Sequence, residues 1–151
     1  MKEPKKFPEQ QQSQPGKEKK MNPEPEIIKK SYKGSGKLKG KTALITGGDS
    51  GIGRSVAVHF AIEGANVAIV FLKEDEDAQT TKKLVEDAGQ KCLIIEGDLK
   101  NEDFCRKIVA ETVKEFGGLN ILVNNAATQM LENKLEDISW ETQATYSHIV
   151  Y

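Results

Sequence analysis

Proline disappears after position 25: Pro4, Pro8, Pro15, Pro23 and Pro25 are all there are in 151 residues. Cysteine is scarce as well, and Cys92 with Cys105 cannot form the framework of a disulfide-stapled fold. No stretch approaches the ~18 consecutive apolar residues that a membrane-spanning helix needs. The first 26 residues hold no apolar run between their basic groups, so no secretory leader is expected. Histidine occurs only at His59 and His148, too isolated to build a metal centre. A soluble protein of a reducing compartment, the cytoplasm, is the expectation.

The net charge of −1 conceals two unlike segments. Residues 1–40 carry eleven lysines against five glutamates, a net of +6, whereas residues 41–151 carry eleven basic and eighteen acidic side chains, a net of −7. Residues 1–30 are rich in Lys, Glu, Gln and Pro and offer too little apolar surface to offset chain entropy, so they read as a mobile arm. The acids interspersed among the lysines, and the lack of aromatic–basic alternation, argue against a nucleic-acid partner. Ser31 to Gly36 reads as a hinge, so 1–40 is arm and hinge and 41–139 the folded unit.

From Lys41 the pattern is regular. Thr42-Ala43-Leu44-Ile45 is a buried strand that ends in a glycine-rich turn. Ile52, Val56, Ala57, Phe60 and Ala61 recur at helical spacing up to Gly64, and residues 65–71 form a second apolar strand. Residues 75–88 place Ala78, Leu84, Val85 and Ala88 on one face of a charged helix, and 91–95 supply a third strand. Asn101 caps a helix whose first turn holds Glu102 and Asp103 and whose apolar face is Phe104, Ile108, Val109, Val113 and Phe116. Leu119 to Val123 is the fourth strand. Uniformly apolar strands alternating with amphipathic helices require a parallel sheet covered on both faces. The fold class is therefore α/β, a Rossmann-type doubly wound sheet of strand order 3-2-1-4.

The turn between the first strand and first helix carries the chemistry. A helix N-terminus directs unpaired N–H groups and the positive end of its dipole at whatever lies before it, which suits an anion. Gly47 permits the sharp turn, and Gly51 and Gly53 remove side chains so that a pyrophosphate and the neighbouring strand can approach the backbone. A tight turn that binds nothing would share this composition. Its position between a buried strand and a helix in the first βαβ unit favours cofactor binding.

The spacing Thr46-Gly47-x-x-x-Gly51-x-Gly53 resembles that of the short-chain dehydrogenase/reductase family. Asp98-Leu99 after the third strand and Asn124-Asn125-Ala126-Ala127 after the fourth are similar to two further motifs of that family, the last with Ala127 in place of glycine. The Lys37 to Lys41 lead-in resembles the start of such domains, and the arm resembles an N-terminally extended bacterial subgroup associated with general stress. The resemblance spans about residues 31–139. It implies Gly47, Asp49, Ser50, Gly51, Ile52 and Gly53 around the ribose and pyrophosphate of NAD or NADP, and Phe71 and Leu72 near the adenosine ribose. It also implies Asp98 and Leu99 at the adenine, and Asn124 and Ala126 beneath the cofactor. Asp98 as a strand terminator and Asn124 as a brace within the sheet are the purely structural alternatives.

Neither an acid nor a base stands in the usual place to discriminate the ribose 2′ group. The second strand ends in Phe71-Leu72, Ser50 replaces the Arg of many NADP-selective members, and the acidic run 74–77 adjoins Lys73. The family's reaction exchanges a hydride between nicotinamide and a carbonyl or alcohol carbon, using Ser, a Tyr-x-x-x-Lys pair and an Asn. No Tyr-x-x-x-Lys occurs here, since Tyr32 is followed four places later by Gly36 and Tyr146 by Val150, and nothing follows Tyr151. Residues 142–151 lack the Asn and depart from the family pattern after Trp140. These features imply an oxidoreductase cut short by a frameshift, a truncated gene or an erroneous gene model, inactive alone, whose fourth strand leaves Ile121-Leu122-Val123 as an apolar edge open to self-association. A non-catalytic nucleotide-binding or interaction module is the alternative. Cys92, Cys105 and Trp140 read as packing residues.

Overall fold

The computed structural model describes residues 20–127 together with Pro8, Gln10, Lys134, Glu136 and Ser139. Four strands, β1 (Thr42–Thr46), β2 (Asn66–Phe71), β3 (Cys92–Glu96) and β4 (Ile121–Val123), alternate with three helices, α1 (Gly51–Ile62), α2 (Asp75–Asp87) and α3 (Glu102–Phe116). All pairings are parallel and the strand order is β3-β2-β1-β4. The doubly wound sheet expected from the apolar strands is thus the fold observed, with boundaries within two residues of those read from the sequence.

Side chains alternate across the sheet with period two. Ala43, Ile45, Val67, Ile69 and Phe71 face one side, where Ala57 and Ala61 of α1 and Ala78 and Val85 of α2 complete a core. Leu44, Ala68, Val70 and Ile95 face the other, packed with Ile108 of α3. Small residues on α1 let that helix lie close to the strands.

Local chemistry sets the helix ends. Asn101 has extended backbone and its side chain accepts from the N–H of Phe104, while Gly117, at φ 80°, closes α3 in the left-handed conformation that glycine adopts without steric cost. Asn120 and Asn66 perform a similar service for the sheet. The Asn120 side chain accepts from the N–H of Thr42 at 3.0 Å, and that of Asn66 from the N–H of Lys91 at 3.1 Å.

Three expectations need correction. Ile52, placed on the apolar face of α1, is 77% exposed because it sits in the first turn, at the mouth of the glycine loop; Val58 is buried in its stead. On α3 the covered positions are Ile108 and Thr112, while Val109 and Val113 are each 41% exposed. Burial of Thr112 is tolerated because its hydroxyl donates to the carbonyl of Ile108 at 2.7 Å. The stretch read as a hinge is fastened to the end of α1. The carboxylate of Glu63 accepts from Tyr32 Oη at 2.5 Å, Ser35 N at 3.0 Å, Ser35 Oγ at 3.1 Å and Lys37 N at 3.0 Å. Composition reports how much apolar surface a segment can bury, and this attachment is polar.

Most of 1–19 and residues 140–151, with Trp140, Tyr146, His148 and Tyr151, lie outside the described residues. Among the described residues no helix is long and apolar enough to cross a membrane, and no cluster of His, Cys, Asp and Glu could hold a metal ion.

Candidate functional site

Because every strand is parallel, all four carboxyl ends open on one edge of the sheet. The chain leaves β1 toward β2 on one side and returns to β4 on the other, and this switch of direction beyond β1 is where a sheet of this kind opens a crevice for a ligand. The glycine turn fills the base of that crevice.

The glycines there answer two demands, a left-handed backbone at Gly47 and Gly51 and a close approach at Gly53. Gly47 has φ 62°, and its N–H donates to the carbonyl of Val70 at 2.7 Å, so the turn begins before β1 has left its neighbour. Gly53 packs so tightly that an added Cβ would lie 2.0 Å from the carbonyl oxygen of Gly47 and 2.6 Å from Asn125 Nδ2. Gly51 has φ 54° and nothing within 4 Å of where its Cβ would be. The space over Gly51 is therefore open at the amino end of α1, where the dipole favours an anion. Ser50 is the N-cap residue, with extended backbone at φ −149°, and its side chain makes no capping bond.

Asn125 closes the loop from the β4 side. Its Nδ2 donates to the carbonyls of Thr46 at 3.0 Å and Gly47 at 2.9 Å, while its own N–H and that of Ala126 each donate to Thr46 Oγ1 at 3.0 Å. Asn124, the residue singled out from the motif, is exposed. The structure thus gives the bracing role to Asn125, which sequence reasoning left unassigned although it sits within the same Asn-Asn-Ala motif.

The remaining candidates lie along the same edge. Phe71 is 5% exposed and belongs to the core, whereas Leu72, one residue beyond the strand, is 54% exposed. Asp98 is exposed and its carboxylate accepts from the N–H of Lys100 at 3.0 Å. Leu99 is half-buried against the Ile108 side of the sheet. Asp49 is half-buried, and desolvation is the main cause that raises its carboxyl pKa; the nearby acids Glu74 and Asp77 add to this.

Arg54 and Thr81 were also missed. Arg54 is 5% exposed and Thr81 is fully buried, and they bond to each other at 2.9 Å beneath the glycine loop. A signal for Thr81 existed: Ala78, Thr81 and Val85 fall on one helical stripe, and a threonine on a stripe of core residues points to a buried partner for its hydroxyl. Cys92 does not compete as a nucleophile, since burial pushes its thiol up to about 12.

The family model "short chain dehydrogenase" matches residues 41–147, running past Ser139, where the resemblance read from the sequence ends. General stress protein 39 of Bacillus subtilis is 58% identical over 139 residues, which cover 91% of this chain and 49% of that protein. A short-chain dehydrogenase of Burkholderia cenocepacia in complex with NADP superposes with TM-score 0.70 at 36% identity, covering 74% of this chain and 45% of the other. Carveol dehydrogenase of Mycobacterium avium in complex with NAD gives TM-score 0.70 at 28% identity, covering 76% and 46%. The chain spans about half the length of the curated relatives it matches.

Proposed function

Since the chain belongs to the short-chain dehydrogenase family of NAD(P)-linked oxidoreductases, we propose that residues 41–127 hold a dinucleotide and that the chain does not turn over a substrate by itself. The observation that carries this reading is the pairing of an open, left-handed Gly51 with the amino end of α1 at the switch point of a parallel sheet.

A cofactor fits these residues on steric grounds. The loop presents backbone where a pyrophosphate would come closest, with side chains missing at Gly47 and Gly51, where φ is positive, and at Gly53, where a Cβ would meet the carbonyl oxygen of Gly47. Gly47, Asp49, Ser50, Gly51, Ile52 and Gly53 would surround the ribose and pyrophosphate, with Leu72 and the backbone of Phe71 at the adenosine ribose. Asp98 and Leu99 would meet the adenine, and Asn124 and Ala126 would lie beneath the cofactor. When bound, the nicotinamide carries the hydride exchanged with a carbonyl or alcohol carbon. The residues of this chain bind and orient; the Tyr-x-x-x-Lys that would move the proton does not occur in its sequence. NAD and NADP both remain candidates on these residues.

Titration of the purified chain with NADH and NADPH, followed by a carbonyl-reduction assay, tests the reading. Binding without reduction is the expected result. Reduction by the isolated chain would overturn the inactivity, and absence of binding to either nucleotide would overturn the site. A small carbonyl or alcohol compound is the substrate class for longer members of the family. Self-association is proposed through β4, which pairs only with β1 among the described strands and leaves Leu122 55% exposed.

A further inference from the structure

Arg54 lies in the first turn of α1, at the amino end that the preceding reading assigns to an anion, yet its guanidinium is turned away toward α2 and buried. Its Nε donates to the carbonyl of Asp49 at 3.0 Å and to Thr81 Oγ1 at 2.9 Å. Its Nη2 donates to the same Asp49 carbonyl at 2.6 Å, and to the carbonyl and carboxylate of Asp77 at 3.3 and 3.1 Å. Thr81 Oγ1 in turn donates to the Asp49 carbonyl at 2.8 Å. One carbonyl of the glycine loop is therefore held by three donors drawn from two helices. The Asp77 carboxylate, whose side chain is 21% exposed, balances the buried positive charge.

That carbonyl belongs to the peptide joining Asp49 to Ser50, immediately before Gly51. In a trans peptide the C=O and the following N–H point in opposite directions. Holding the Asp49 oxygen toward α2 fixes the Ser50 N–H on the opposite side. If the peptide were to turn over, an oxygen carrying partial negative charge would replace a donor at the amino end of α1.

We propose that Arg54 is a positioning residue for the anion-binding loop. It keeps the Asp49–Ser50 peptide in the donor-outward orientation, and through Thr81 and Asp77 it couples that orientation to α2. The loop is then shaped before an anion arrives, so no binding energy is spent on ordering it. The proposal rests on the reading of the crevice as a dinucleotide site.

The test uses the full chain and three probes, NAD, NADP and ADP, titrated calorimetrically into the wild type and into Arg54→Met, Arg54→Lys and Thr81→Val. Melting temperature and the hydrogen-exchange rates of the Ser50 and Gly51 amides are measured in parallel. Arg54→Met is expected to weaken pyrophosphate-bearing probes roughly tenfold or more per folded molecule, the scale of a lost charge-assisted hydrogen bond. Arg54→Lys retains the charge opposite Asp77 but not the planar fork, so its melting temperature should recover further than its affinity. Thr81→Val should weaken binding by a few-fold and speed exchange at Ser50 while leaving the chain folded. Should Arg54→Met fail to fold, the other two variants carry the test. Wild-type affinity in both folded Arg54→Lys and Thr81→Val, with unchanged amide exchange, would overturn the proposal alone. A wild-type chain that binds none of the three probes would overturn the dinucleotide reading and the proposal with it.

Discussion

Leu44 and Leu122 are register partners on adjacent parallel strands, yet Leu44 has no exposed surface and Leu122 is 55% exposed. Both alternate onto the side of the sheet that α3 covers, opposite the side covered by α1 and α2. The difference is one of position across the sheet. A central strand is roofed by whatever packs on its neighbours, whereas an outer strand on the one-helix side depends on elements beyond its own edge. The same contrast runs through α3, where Ile108 is buried and Val109 and Val113 stay 41% exposed. An apolar stripe records what a helix is able to cover, and the described neighbours decide how much of it is used.

Four substitutions test this asymmetry. Ile69→Ala on the two-helix side removes a fully buried side chain between α1 and α2 and should cost about 4 kcal/mol, read from the midpoint of urea unfolding. A cost near zero would mean that this side is no better packed than the other. Gly53→Ala comes next at about 3 kcal/mol, because the new methyl meets the backbone oxygen of Gly47 and the loop must move. Nucleotide binding should be lost with it, and an alanine variant that binds normally would contradict the close approach.

Glu63→Gln should have a smaller, pH-dependent effect at the far end of α1. The hydrogen bond from Tyr32, followed by those from Lys37 and Ser35, lowers the Glu63 carboxyl from its ordinary 4.5 to about 2. A carboxylate with a depressed folded-state pKa contributes stability that is fully present above the unfolded value and lost as pH falls through the folded one. The wild type should therefore lose an advantage over Glu63→Gln between pH 4.5 and pH 2, measured by thermal melting across that range. Parallel profiles for the two proteins would remove Glu63 as the anchor of the 32–37 segment. Val109→Thr, on the exposed part of α3, should change stability by no more than about 0.5 kcal/mol. A loss comparable to Ile69→Ala would show that the one-helix side is covered in solution, and sedimentation would then tell whether a second copy is responsible.

The sheet was legible in the sequence because its strands are largely apolar and alternate with amphipathic helices, which leaves few other ways to arrange them. Asn101 as a cap and Gly117 as a stop were legible for the same local reason, since a cap needs only its own turn. The site was legible in part. Gly47, Gly51 and Gly53 stand out by spacing, but the partners that fix the loop do not. Arg54 reads as a surface charge, Thr81 as a polar residue on a charged helix, and Asn125 as the lesser half of a pair. Their roles depend on α2 and β4 arriving beside the loop from 27 and 79 residues away.

What the sequence by itself determined is the order of elements, the parallel sheet and the placement of a glycine turn before the first helix. Those follow from periodicity and from the backbone freedom of single residues, which act over a few positions of chain. Only the tertiary structure decided which apolar faces are covered, which carboxylate gathers the 32–37 segment, and which buried cation steadies the loop. These outcomes depend on hydrogen bonds and contacts between residues far apart in the chain, and a polar side chain becomes a core residue only when its partner is brought within reach.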